Sequence, residues 1–231
     1  MLSHITQIFS SPVNIALFLI RLPIVAIALS FHEMSHAYVA HKMGDDTARN
    51  LGRLTMNPLK HLDLIGSISL VLFGIGWAKP VPVNARNFDN PKKGMALTAF
   101  AGPVSNLILS ILGMIPFVIS FYVSSANTDS TVLWLVFLFF YMFHYLNLVY
   151  AVFNMLPVPP LDGSRLALIF LPDKIYFGVM KYERIIMILF FVFLYFIGFE
   201  FISTICSYIS NGMIYLVSLI PGLGELRSII S

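Results

Sequence analysis

The strongest constraint in this chain is the run Phe31-His32-Glu33-Met34-Ser35-His36, which sets three ionisable side chains at the end of an apolar segment. From Val13 to Phe31 the only ionised residue is Arg21. A stretch of about 20 such residues is what a helix needs to cross a bilayer. Ionisable groups at that depth are expensive to bury, so their presence points to a function. On a helix, His32 and His36 are four apart and project from one face, with Cβ atoms about 5–6 Å from each other. Two imidazole nitrogens so placed can share one Zn²⁺ at about 2.0–2.1 Å each. Glu33 follows the first histidine and can hold a carboxylate beside a water at the metal without being a ligand. That is the arrangement of a general base.

Composition agrees with the setting. The chain is 58% hydrophobic and 11% charged, with a mean hydropathy of +0.85, which excludes an ordinary soluble domain. It reads as an all-α polytopic membrane protein in which 231 residues form a single membrane-embedded domain of about five to six spans. The net charge of +3 is small and its basic residues flank the spans, so the partner it implies is the lipid bilayer and not nucleic acid. It sets no oligomeric state. The single cysteine, Cys206, rules out an intrachain disulfide and a cysteine-rich zinc site. Residues 1–12 have no Lys or Arg, so no signal-peptide n-region is expected and the first span stays in the mature protein.

The first span, carrying the histidines, is expected at about residues 12–41, with Arg21 snorkelling or paired to a carbonyl. A polar stretch from Lys42 to Asp63 follows, in which Asn57-Pro58 marks a turn. His61 and Asp63 are weighed as metal ligands, but capping and folding the loop is favoured. Residues 64–76 are apolar, too short for a comfortable span and interrupted by Gly66, Gly74 and Gly76. The next stretch, Trp77 to Asn84, contains Pro80 and Pro82 and is expected to be extended. Together 64–84 read as a re-entrant, partly β-like segment, tolerated where protein or a water-filled cavity satisfies its backbone.

Further spans are expected at about 95–122, 131–156 and 185–220, the last as one long or two closely spaced helices. In the first of these spans, Gly102-Pro103 predicts a kink with close helix approach, and Asn106 faces protein. In the next, His144, Asn147 and Asn154 lie within about 80° of one another on a helical wheel and look inward. They are read as packing, access-path or substrate-contacting groups. That span ends at Asn154-Met155-Leu156-Pro157-Val158-Pro159-Pro160-Leu161-Asp162-Gly163, where prolines stop regular helix.

Eight of the fourteen basic residues lie between Lys42 and Lys93 and four between Arg165 and Arg184, while the loop at 124–130 has none. The positive-inside rule therefore puts the first two regions in the cytoplasm. Asp162 is thereby delivered to the same side as His36, 126 residues earlier in the chain. A catalytic zinc needs three protein ligands and an open position. Asp162 is the favoured third ligand and Glu200 its rival, with a helix N-cap as the alternative role for Asp162. Asn154 can donate a hydrogen bond to a substrate backbone or a developing oxyanion, or to a neighbouring helix.

These residues resemble the site-2 protease family of intramembrane zinc metalloproteases, in its compact subgroup without a PDZ or nucleotide-sensing domain. The likeness extends from about Ile27 to Leu166 and rests on His32-Glu33-Met34-Ser35-His36, the Asn57-Pro58 and His61 loop, Gly102-Pro103 with Asn106, and Asn154 through Asp162-Gly163. It implies that His32, His36 and Asp162 bind zinc, that Glu33 is the catalytic base and that Asn154 contacts substrate. It also implies cleavage within or near the transmembrane segments of membrane-protein substrates, in a prokaryotic plasma membrane with the site toward the cytoplasm. Two other readings stay open: a zinc-dependent membrane protease acting on soluble peptides or prenylated tails, and a metal transporter using the same histidines.

Overall fold

The structure, a computed structural model, describes residues 8, 10–63, 65–66, 78–197 and 200–230. Helix α1 (Pro12–Lys42) begins at an ordinary polar cap: Ser11 Oγ accepts the Asn14 amide at 3.1 Å, and Pro12 sits where a missing N–H is harmless. Its 31 residues span about 46 Å, more than the hydrocarbon core requires. His32 thus stands about 15 Å short of the helix's C-terminal end, and His36 about 9 Å. The inward side of α1 carries small residues: Ala28, Ala37 and Ala40 are all fully buried. Without a hydrophobic drive between helices in lipid, small side chains let backbones approach and dispersion hold them.

The partner in that approach is α4 (Pro91–Ala126), which packs on α1 and on α5 (Thr131–Asn154). Asn90 caps α4 by accepting the Lys93 amide at 3.0 Å, and Pro91 opens it. The helix is continuous through Pro103 and Pro116, and it starts four residues before the expected span because of that Asn-Pro cap. The close approach expected at Gly102 is present; its consequence belongs to the site.

Between α1 and α4 the chain is held by buried polar groups. Two short helices, α2 (Thr47–Asn50) and α3 (Pro58–His61), lie here. Asp45, fully buried, accepts from the Thr47 amide and hydroxyl, the Asn84 amide and Asn87 Nδ2. Burial pushes its carboxyl up, and these hydrogen bonds outweigh that and hold it below its ordinary value. Leu62 and Ala78 form an isolated antiparallel bridge, and the Lys79 amide donates to the His61 carbonyl at 2.7 Å. Residues 79–84 continue without helix, as the two prolines require. No strand longer than that bridge occurs among the described residues, and the expected re-entrant stretch at 64–77 lies, apart from Ile65 and Gly66, outside them.

After α5 the chain turns through Met155–Leu161, with a cis peptide bond between Pro159 and Pro160, into α6 (Asp162–Ala167). Amphipathic α7 (Asp173–Lys181), α8 (Glu183–Ile197) and α9 (Glu200–Ser218) follow. The region expected as one long or two closely spaced spans is helical on both sides of residues 198–199, which lie outside the described residues. Four described helices, α1, α4, α5 and α9, are long and apolar enough to cross a membrane. The packed interior is partly polar: His144 of α5, fully buried, bonds Ser110 Oγ of α4 at 2.9 Å and Ser210 Oγ of α9 at 3.0 Å.

Candidate metal centre

Helical spacing turns His32, Glu33 and His36 toward the α1–α4 interface, where each is 8% exposed or less. The break after α5 brings Asp162 to the same point. Its Oδ2 lies 3.1 Å from His32 Nε2 and 3.4 Å from His36 Nε2. Among the described residues, His32, His36 and Asp162 form the one group of three or more candidate metal donors, all within 4.8 Å of one another. Glu200, in the exposed first turn of α9, is outside that group. Leu161, not Asp162, occupies the N-cap of α6, and no side-chain cap bond is made there. The Asp162 side chain points to the histidines instead.

Hydrogen bonds on the far side of each ring decide what the near side offers. His36 Nδ1 is 2.7 Å from the Thr98 carbonyl oxygen, which can only accept, so Nδ1 carries the proton. His32 Nδ1 is 2.7 Å from Asn106 Oδ1 and donates likewise. Both Nε2 atoms then present lone pairs to Asp162 Oδ2, which is buried and has no hydrogen-bond partner. Three lone pairs converging in a buried place repel unless a cation lies between them. Tetrahedral zinc with ligands at 2.0–2.1 Å sets neighbouring donors about 3.4 Å apart, so the donor set fits zinc.

Two further contacts complete the place. A Cβ at Gly102 would come within 2.5 Å of Cε1 of both imidazoles and of His36 Nε2, so only glycine leaves room for the rings. Gly163, the residue after Asp162, lies so close to the Met155 and Leu156 backbone that a side chain would collide with it. Glu33 Oε2 accepts the Val81 amide at 2.8 Å, which ties the carboxylate to the extended segment.

The other residues singled out from sequence stand elsewhere. Asn154 is half-buried and its Nδ2 donates to the Tyr150 carbonyl of its own helix at 3.0 Å. His61 is buried, with Nε2 at 2.7 Å from the Thr55 carbonyl, and Asp63 accepts the Gly66 amide at 2.8 Å. Both fold their loop, as favoured. Sequence reasoning missed the Thr98 carbonyl and the Val81 amide, since a backbone partner leaves no residue-type signal.

A family model described as Peptidase family M50 matches residues 20–199, most of the chain and all four of these side chains. The chain belongs to peptidase family M50. Among its relatives, YwhC of Bacillus subtilis (strain 168) is 47% identical over 142 residues, 61% of this chain and 64% of that protein. Rip2 of Mycolicibacterium smegmatis is 30% identical, over 59% of this chain and 51% of its own length. MJ0611 of Methanocaldococcus jannaschii is 32% identical, over 70% and 76%. Each is provisionally named a zinc metalloprotease. The matched region thus spans about half to two thirds of the first two relatives. No solved structure matches the chain significantly. Membership makes this a metallopeptidase-family membrane protein with zinc as its metal, and the donor set agrees with both.

Proposed function

We propose that this chain is an intramembrane zinc endopeptidase that hydrolyses peptide bonds within or near the transmembrane segments of membrane proteins. The observation that carries the reading is the convergence of His32 Nε2, His36 Nε2 and Asp162 Oδ2 beside Glu33, with the two histidines and Glu33 on a helix long and apolar enough to cross the bilayer. His32, His36 and Asp162 hold the metal. Zinc, when bound, supplies Lewis acidity toward a water and the scissile carbonyl. Glu33 takes the proton of the attacking water and passes it to the leaving amine. The Val81 amide occupies one of its oxygens and leaves the other for that proton. Asn154 contacts the substrate backbone.

Water reaches the site from the cytoplasmic side, where most of the basic residues lie, in a prokaryotic plasma membrane. A helical substrate must unwind first, because each helical carbonyl is tied up in an i to i−4 bond. The extended stretch at 78–84 can pair with the unwound strand. Pro80 and Pro82 have no N–H, so at those positions it offers carbonyls only. The test is a pair of variants in purified protein. Glu33→Gln is expected to keep its zinc and lose cleavage of a membrane-anchored substrate, and Asp162→Asn to lose both. A Glu33→Gln protein that still cleaves, or an Asp162→Asn protein that keeps full zinc and activity, would overturn the reading. Metal transport that survives Glu33→Gln would point to a carrier instead.

A further inference from the structure

His32 and His36 are held in the same tautomer by different means. The acceptor for His36 is a backbone carbonyl, which cannot turn round. The acceptor for His32 is the side-chain amide of Asn106, and an amide can. Turned by 180°, Asn106 would present Nδ2 to the ring and leave Nδ1 as the acceptor. The proton would then sit on Nε2, facing Asp162, and the lone pair needed by a metal would be gone.

What prevents the turn is also visible. Asn106 Nδ2 donates to two acceptors, the Ala28 carbonyl at 3.1 Å and Asn147 Oδ1 at 3.1 Å. A flipped amide would set its oxygen against both. Asn147 is fixed in turn, because its Nδ2 donates to the Phe143 carbonyl at 2.8 Å. Asn106 and Asn147 are fully buried, so water cannot compensate a misaligned group. The series runs from α5 through α4 to α1, and every donor in it meets an acceptor.

We propose that Asn106 is a positioning residue that keeps the proton of His32 on Nδ1, with Asn147 locking the Asn106 amide, so that Nε2 is held ready for the metal. The inference rests on the zinc reading given above. Outer partners of this kind, when removed, typically weaken metal binding about 10–100-fold. His36 has its own fixed acceptor and is unaffected.

The experiment titrates zinc against a chromophoric chelator in full-length detergent-purified wild type, His32→Ala, Asn106→Leu and Asn106→Asp, and records the Co²⁺ absorption spectrum of each. Wild type is expected to bind one zinc and His32→Ala to lose it. Asn106→Leu is expected to bind about 10–100-fold more weakly with an altered Co²⁺ spectrum. Asn106→Asp keeps an oxygen on His32 and is expected to recover part of that loss, the repulsion of its second oxygen from Ala28 and Asn147 taking the rest. Wild-type affinity and spectrum in Asn106→Leu, with His32→Ala metal-free, would overturn this inference and leave the zinc reading standing. Equal losses in the leucine and aspartate variants would reduce Asn106 to helix packing and also overturn it. A wild type that binds no zinc would end both. Should Asn106→Leu fail to fold, Asn106→Asp decides: retained zinc with the wild-type spectrum supports the proposal, and lost zinc overturns it.

Discussion

Glu33 Oε2 and the Val81 amide, 48 residues apart in sequence, meet at 2.8 Å. A carboxylate proposed to move a proton is thereby fixed in direction by a backbone group of an extended segment. That segment is itself pinned by Lys79 to His61 and by Asn84 to Asp45. The contact separates two roles that are easily confused, since it touches the base and none of the three metal donors.

Val81→Pro removes this N–H while keeping an extended conformation. Cleavage is expected to fall by about 10²-fold, the scale of a misplaced catalytic group, with zinc content unchanged. Val81→Ala, which keeps the amide, is expected to stay near wild type. Turnover and bound zinc measured on the same preparations check this; equal activity in the two variants would remove the Val81 amide from the mechanism.

Gly102→Ala separates helix stability from site geometry. In a helix interior alanine is favoured over glycine by about 1 kcal/mol. The new Cβ, however, would lie 2.5 Å from atoms of both imidazoles. The variant is expected to keep its helix content while losing most of its zinc. Gly212→Ala on α9, where nothing lies within 4 Å of the added atom, serves as the control that keeps its metal.

Asp45 gives the expected pH dependence of the fold. Its carboxyl is held below the ordinary value in the folded chain, so its contribution is complete above the unfolded value of about 3.9 and is lost as pH falls through the folded one. Acid is therefore expected to release the 84–87 segment from the end of α1. Asp45→Asn places an NH₂ among donors, costs about 1–3 kcal/mol at neutral pH, and flattens the acid limb. Melting curves from pH 7 to pH 3 on both proteins test the sign. An unchanged acid limb in the variant would show that another carboxylate governs it.

Much of this was legible before any coordinates, and the reason is periodicity. The i, i+4 spacing puts His32 and His36 on one face whatever the rest does, and the prolines after Asn154 predict a broken helix end where Asp162 comes free. The positive-inside pattern then predicts that those two places share one side of the membrane. What stayed hidden is the set of partners joined only by tertiary packing: Thr98 to His36, Val81 to Glu33, Asn106 to His32. Asn106 could be read as facing protein, but nothing in its neighbourhood names the ring it meets. The setting of Asp45 was hidden for a related reason, since it joins a backbone amide and an asparagine side chain 39 and 42 residues away.

His144 tests whether a buried histidine outside the metal group is structural. It joins α4 and α9 through Ser110 and Ser210, and stacks on Phe117 with ring centroids 6.3 Å apart. Interhelical hydrogen bonds within membranes are worth about 0.6 kcal/mol on average and about 1.7 at most. Ser210→Ala is therefore expected to lower stability by an amount in that range and leave zinc stoichiometry, chelator competition and turnover unchanged. A metal-centre residue would behave the other way, losing zinc with little change in folding. If Ser210→Ala weakened zinc binding about ten-fold or more, α9 would be coupled to the site through His144, and the division drawn here between packing and metal-holding histidines would fail.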